Sequence, residues 1–333
     1  KQELLEEKIR NNKGAFIRVF DGKRWYYSST TNVAGIQEQI DALAKMAVPD
    51  PNILQHPIVQ AFEVHRESLI QHDKQSLTDI PVKEKLELLE SYLALITDPT
   101  IVHHTSYYVD NKTIKSIYSS KGTAVTFDKQ TCGIRLTLEL ACGENKDQAT
   151  VSKAAVNFSE LQGLEEFIAA EIEKSIAFTR DAEPVIPGEY TVLLSPEATG
   201  VFTHESFGHK SESDFMVGDE TMKAEWALGK IIGPELLTII DDGGERGSGY
   251  TPFDDEGTKA KKTLIISKGI LSGRLHSAAT SAALEEPLTG NARAINFEFE
   301  PIVRMTITYI DKGDRPLQEI VAEIDKGIYV ETI

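Results

Sequence analysis

The segment His204-Glu205-Ser206-Phe207-Gly208-His209 puts two imidazoles and a carboxylate within six residues. Neutral imidazole nitrogens are good ligands for a transition metal, and a carboxylate beside such an ion acts as a general base toward water. The pattern is one residue longer than H-E-x-x-H, whose histidines at i and i+4 share one helix face. At i and i+5 on a straight helix of 3.6 residues per turn the rings stand roughly 140° apart. A shared metal therefore demands an irregularity. One solution is a π-type turn, which stacks i over i+5. The other is a helix that ends at Gly208, where glycine tolerates the backbone conformation required. A regular α-helix through His209 would exclude the site and leave two ordinary structural histidines.

The elements around this segment are those that could hold it. Tyr190–Leu194 reads as a buried strand. Ser195-Pro196-Glu197 then supplies a cap, a proline at the first helical position and an acid in the first turn, so a helix starts at Pro196 and runs into the motif. Downstream, Leu236–Ile240 is expected as a strand, Glu245–Gly257 as a Gly- and Asp-rich loop, and Thr263–Ser267 with Ile270–Leu275 as a hairpin around Lys268-Gly269. Ile302–Ile310 reads as a strand, Leu317–Ile324 as a helix closed by Gly327, and Ile328–Ile333 as the start of a strand.

Upstream, Ala15–Phe20 and Arg24–Ser28 form a hairpin pattern around Asp21-Gly22. Thr31 or Asn32 is placed to cap a helix ending near Met46, and proline-rich Ala47–Pro57 reads as loop. Val82–Ile96 has the apolar spacing of an amphipathic helix, as does Leu161–Phe178. Residues 105–157 alternate as antiparallel strands, with Thr123–Phe127 and Cys132–Ala141 the clearest segments and a turn at Gly143-Glu144-Asn145. Of Tyr107 and Tyr108, one faces the core and one the surface. Asp181–Gly188 has linker chemistry. The expected fold class is α+β: two domains, 1–183 and 184–333, each with mainly antiparallel sheet and packed helices. A chain of 333 residues suits that division, at roughly 150 residues per domain.

Bulk properties exclude some functions. The net charge is −17 and no basic stripe is present, whereas binding along a nucleic-acid backbone needs clustered cations that release counterions. No apolar run reaches the ~18–20 residues of a membrane span. Cys132 and Cys142 flank one strand, too far apart along it to bridge. Two thiols in so long a chain suit a reducing compartment, hence the cytoplasm.

His204–Asp214, reading HESFGHKSESD, resembles the HExxxH signature of the TldD/PmbA family, also called modulators of DNA gyrase. The likeness continues through Asp241-Asp242-Gly243, Phe253-Asp254-Asp255-Glu256-Gly257, Thr289-Gly290-Asn291-Ala292-Arg293 and Val303-Arg304-Met305-Thr306. These blocks keep the family's order over most of 185–333; residues 1–180 resemble its N-terminal domain more loosely. The resemblance implies a zinc metallopeptidase of the TldD-like type, acting on small or unfolded polypeptides bound as an extended strand. It also implies a dimer, either of like chains or with a PmbA-like subunit. Family members carry a third ligand, a cysteine, near the C-terminus, which Cys132 and Cys142 do not match. The C-terminal domain is therefore expected to be incomplete here.

On this reading His204 and His209 bind Zn²⁺ and Glu205 is the general base. Glu212 and Asp214 are candidates to orient His209. Asp254, Asp255 and Glu256 are candidates to line a cleft or bind a peptide N-terminus, and Asn291 and Arg293 to grip substrate backbone or carboxylate. Each of these seven has a structural alternative: a solvated acid, a polar turn or a loop ion pair. His276 is expected to be structural, and His56, His65, His72, His103 and His104 are assigned no function. The rival function is a non-catalytic regulator or binding partner.

Overall fold

The computed structural model describes residues 4–332. Strands β1 (Ala15–Phe20) and β2 (Trp25–Thr30) pair antiparallel, Ala15 opposite Thr30. The Asp21 carboxylate closes their turn by accepting the amides of Lys23 and Arg24. The Asn32 side chain caps a short 3₁₀ turn that feeds helix α1 (Ile36–Met46). A short helix α2 (Pro57–Ala61) and strand β3 (Arg66–Leu69) follow; neither carries enough periodicity to announce itself. Helix α3 (Val82–Leu93) is three residues shorter than expected, because Leu95 and Ile96 tighten into i→i+3 bonds.

Three long strands dominate the first half. β4 (Ile101–Tyr118), β5 (Ala124–Cys142) and β6 (Asn145–Ala155) are antiparallel neighbours, while β3 joins β5 in parallel. The two segments expected at 123–127 and 132–141 are one strand. Asp128 and Gln130 interrupt the apolar pattern but stay buried because their polar groups are satisfied. The Asp128 carboxylate accepts the amides of Gln71 and His72, and the Gln130 side chain bonds Leu77, Gln75 and Val156 backbone. Helix α4 (Glu165–Asp181) lies over this sheet. Leu136, Leu138, Tyr92, Leu161 and Ile168 form the core between them. Tyr108 packs on that core and Tyr107 is exposed. The Cys132 thiol is free and buried, and burial pushes its pKa up to about 11.

The second half begins with β7 (Thr191–Leu194), helix α5 (Pro196–Thr203) and, past the histidine segment, α6 (Glu220–Glu225). β7 is not buried as expected: it pairs only with β14 (Gly327–Val330), in parallel, and Thr191 and Val192 are exposed. A two-stranded sheet has no second layer to cover both faces. β8 (Ile239–Asp241), β9 (Thr263–Ser267), β10 (Ile270–Leu271) and β13 (Thr308–Ile310) make an antiparallel sheet ordered β10-β9-β8-β13. Lys268 and Gly269 both have positive φ, the geometry a two-residue hairpin turn needs. Helix α7 (Ala278–Leu284) leads to β11 (Ala292–Arg293), which pairs with β12 (Ile302–Val303); helix α8 (Leu317–Ala322) precedes β14. The single strand expected at 302–310 is thus two. It breaks at Arg304–Ile307 because β12 and β13 belong to different sheets. The last expected strand residue, Ile333, lies outside the described residues.

The fold class is α+β, with sheets mostly antiparallel. Among the described residues no helix is long and apolar enough to cross a membrane. Each half has its own apolar cluster; a third, of Val125 and Phe127 with Phe253, joins them. Leu136 is fully buried at the centre of β5. Leu136→Ala should cost about 2–5 kcal/mol in urea unfolding monitored by circular dichroism. A cost under about 1 kcal/mol would mean the three-stranded core does not pack as described.

Candidate metal centre

Ser195 sets the start of α5: its hydroxyl accepts the Ala198 amide at 3.0 Å, with Pro196 at the first helical position. The helix then runs into a π turn at His204–Gly208, closed by the His209 amide donating to the His204 carbonyl. This is one of the two irregularities that the i, i+5 spacing requires. The two imidazoles consequently meet edge to face, with centroids 4.6 Å apart at 83°. Ligand atoms of His204, Glu205 and His209 all lie within 4.8 Å of one another, and this is the one such group of three among the described residues. His209 Nε2 is 4.0 Å from Glu205 Oε2.

Gly208 acts differently from the expected way. Its φ of −60° and ψ of −57° are ordinary helical values, so no special conformation is involved. What the position needs is the absence of a side chain: a Cβ there would overlap the Met305 sulfur.

Glu212 sits directly behind His209. Its Oε2 lies 3.3 Å from His209 Nδ1 and accepts a 2.7 Å bond from Arg304 Nη1. A carboxylate only accepts, so Nδ1 must carry the proton. That tautomer leaves the Nε2 lone pair free for a metal. Glu212 is 1% exposed, so it is not the solvated acid of the alternative reading. Its backbone is fixed by a bridge to Leu275.

The other candidates separate. Asp214 is exposed and accepts the Val303 amide at 2.6 Å, which ties β12 down; it does not reach His209. Asp254 is fully buried and accepts the amides of Glu256, Thr258 and Ala292. Burial, then the neighbouring Glu256 carboxylate, push its pKa up. Asp255 accepts Lys115 Nζ at 2.6 Å, and Glu256 accepts Arg18 Nη2 at 2.6 Å and the Ala278 amide. None of these three acids lines the groove beside His204. They brace a loop and fasten it to β4 and β1 of the first half. Lys259–Glu67 and Lys261–Glu63 pairs extend the same seam.

Asn291 is buried as well, bonding the Asp241 carboxylate and the Arg304 carbonyl. It cannot touch a substrate from there. Arg293 is different: its guanidinium donates to the Met305 carbonyl, and the residue lines an open groove of about 460 Å³ together with His204. Gly200, Arg246–Gly249 and Met305–Thr308 form the rest of that groove. His276 is enclosed, bonded to Glu286, Thr280 and Ser213, and is structural as expected.

Sequence reasoning gave no role to Asp241, Arg304 or Met305. Asp241 is a buried hub that accepts Asn291 Nδ2, the Thr306 amide and hydroxyl, and the Thr308 hydroxyl. It thereby shapes the 304–308 segment beside His204. The signal was available only as an acid ending an apolar strand before glycines.

Residues 187–333 match the PmbA/TldA metallopeptidase C-terminal domain, and residues 8–48 match PmbA/TldA metallopeptidase domain 1. A metalloprotease of Methanocaldococcus jannaschii is 28% identical over 322 residues, covering 96% of this chain and 71% of that protein. A zinc metalloprotease TldD homolog of Saccharolobus solfataricus is 26% identical, covering 96% and 70%. The crystal structure of TldE from Thermococcus kodakarensis has the same fold, with a TM-score of 0.71 at 19% identity, covering 96% of this chain and 72% of that one. The chain belongs to the PmbA/TldD family of metallopeptidases.

If Met305 is what excludes a side chain at 208, Gly208→Ala should destabilise by about 1–3 kcal/mol through overpacking. Adding Met305→Ala should recover part of that loss, so the double variant is at least about 0.5 kcal/mol more stable than the sum of the singles. Strict additivity in denaturant melts would remove Met305 from the account.

Proposed function

We propose that the chain is a zinc-dependent peptidase in which His204 and His209 supply two ligands and Glu205 is the general base. The observation that carries this is the π turn, which turns two histidines of unsuitable spacing toward one point. The donor set fits zinc: two imidazoles, one with its far nitrogen held by a buried carboxylate, suit a borderline ion better than magnesium or calcium. A cysteine outside residues 1–333 is the third ligand that the family resemblance implies. A zinc ion held there would supply Lewis-acid polarisation of the scissile carbonyl and acidify water.

The chain's own residues do the rest. Glu205 Oε2 accepts the proton of the attacking water and later returns it to the leaving amine. Glu212 and Arg304 fix the His209 ring against rotation. The groove beside His204 is bordered by a segment whose backbone is strand-like only in part, at β13, and an extended peptide lying there would gain main-chain hydrogen bonds with little demand on its sequence. Arg293 stands at that groove to meet a carbonyl or carboxylate of the peptide. Substrates are small or unfolded polypeptides. The chain works as a dimer with itself or with a TldE-like partner, in the cytoplasm, and divides near residue 183 into an N-terminal unit and the unit that carries the metal.

Glu205→Gln should keep about one zinc per chain by elemental analysis and lower peptide turnover about 10²–10⁴-fold. His204→Ala and His209→Ala should each lose the metal. Glu212→Gln should weaken zinc binding about 10–100-fold. Full function of Glu205→Gln in a protein that binds zinc would point instead to a non-catalytic regulator or binding partner.

A further inference from the structure

A second pocket, of about 350 Å³, opens beside the groove that holds His204. The two share Arg246, Gly247 and Ser248 as a common wall. Lys129, on β5, lies at this second pocket, with His72, Asn111 and Thr131 also in its lining. In a chain of net charge −17 this is a cationic place.

Lys129 is unusual among the lysines near the seam. Lys115, Lys259 and Lys261 each pair with a carboxylate, but among the described residues none pairs with Lys129. The acid whose charge reaches it, Asp255, is already engaged by Lys115 and the Ala294 amide. Asp128, next to it on the strand, is engaged by the Gln71 and His72 amides. Arg246, at the rim, is exposed and pairs with Glu160. Burial, then the charges of Arg293 and Lys115, lower the Lys129 pKa to about 8. A half-buried cation with no carboxylate bonded to it is poorly compensated, and an incoming anion relieves that cost.

We propose that this pocket receives a carboxylate of the bound peptide, with Lys129 as its counter-charge, so that it selects the substrate presented to His204 and Glu205. The proposal rests on the peptidase reading for that substrate. The carboxylate has two possible sources, the peptide's C-terminus or an Asp or Glu side chain.

The test is binding, measured by fluorescence anisotropy on the full-length protein carrying Glu205→Gln. Three dye-labelled eight-residue Ala/Ser peptides serve as probes: a free acid, its C-terminal amide, and the amide with one internal Glu. The free acid or the Glu peptide should bind about tenfold or more tighter than the neutral amide, and whichever does names the source. Lys129→Met should reduce that preference to near one, and Lys129→Arg should keep it. The preference should fade as pH rises through about 8, since only the protonated amine attracts a carboxylate. Equal binding of all three peptides, or equal weakening of all three by Lys129→Met, would overturn the carboxylate site while leaving the peptidase reading intact. Binding of none would overturn both.

Discussion

Two histidines five residues apart cannot face one point from a regular α-helix, and here the helix meets the constraint by taking an extra residue into one turn. That turn is not stable by itself, since π geometry is rare and tends to persist where surroundings enforce it. Here the enforcement is visible. Met305 packs where a side chain at 208 would go, Ser211 reaches back to the Phe207 carbonyl, and the Trp226 indole holds Ser211 in turn. Glu212 then fixes the second imidazole from below. Met305 can take its position only because β12 and β13 diverge into different sheets, leaving 304–307 to cross between them.

Two buried acids, Glu212 and Asp241, hold that crossing through Arg304 and Thr306, and two more, Asp254 and Glu256, brace the loop beside it. Glu212, Asp241, Asp254 and Glu256 are all nearly inaccessible. Burying a carboxylate is tolerable when amides, hydroxyls or a guanidinium bond it, and each of the four has at least one such donor, Glu212 through Oε2 alone. They use few residues to fix many: Asp241 alone bonds the Asn291 side chain and both Thr306 and Thr308. The acidic composition therefore has two parts. The excess lies on the surface, and a small buried set does structural work, part of it beside the histidines and part at the seam between the halves.

Much of the frame was legible because local physics decided it. The Asp21-Gly22 hairpin, the Ser195-Pro196 helix start and the alternation around Leu136 and Leu138 are properties of neighbours in the chain. An irregularity at the histidines was legible as a requirement, from spacing alone, with the π turn as one of its two possible forms. The roles of Asp254, Asp255, Glu256 and Asn291 were not, because each has a partner distant in sequence: Ala292, Lys115, Arg18 and Asp241 respectively. A cluster of acids beside glycines looks the same whether it faces a substrate or a lysine of another strand. Gly208 was read as a conformational need when the need was space, which depends on a methionine 97 positions away. The continuity of β5 was hidden for a related reason: Asp128 and Gln130 look like a break until the amides that satisfy them are known.

The same distribution of contacts bears on how the two halves cooperate. The loop from Gly244 to Gly257 borders both the His204 groove and the Lys129 pocket, and it also carries the acids that fasten the halves. The pocket itself takes β5 from one half and this loop from the other, so neither half forms it alone. The cluster of His204, Glu205 and His209 comes from the second half alone. Binding of a peptide across both cavities would therefore add contacts to the seam as well as to the histidines. Ligand binding then stabilises the docked arrangement by its own differential affinity. That seam is built of the Arg18–Glu256 and Lys115–Asp255 pairs and the Phe127–Phe253 contact, so peptide bound beside Lys129 would load the same contacts that join the halves, whereas His209 is braced within the second half alone, by Glu212 and Arg304.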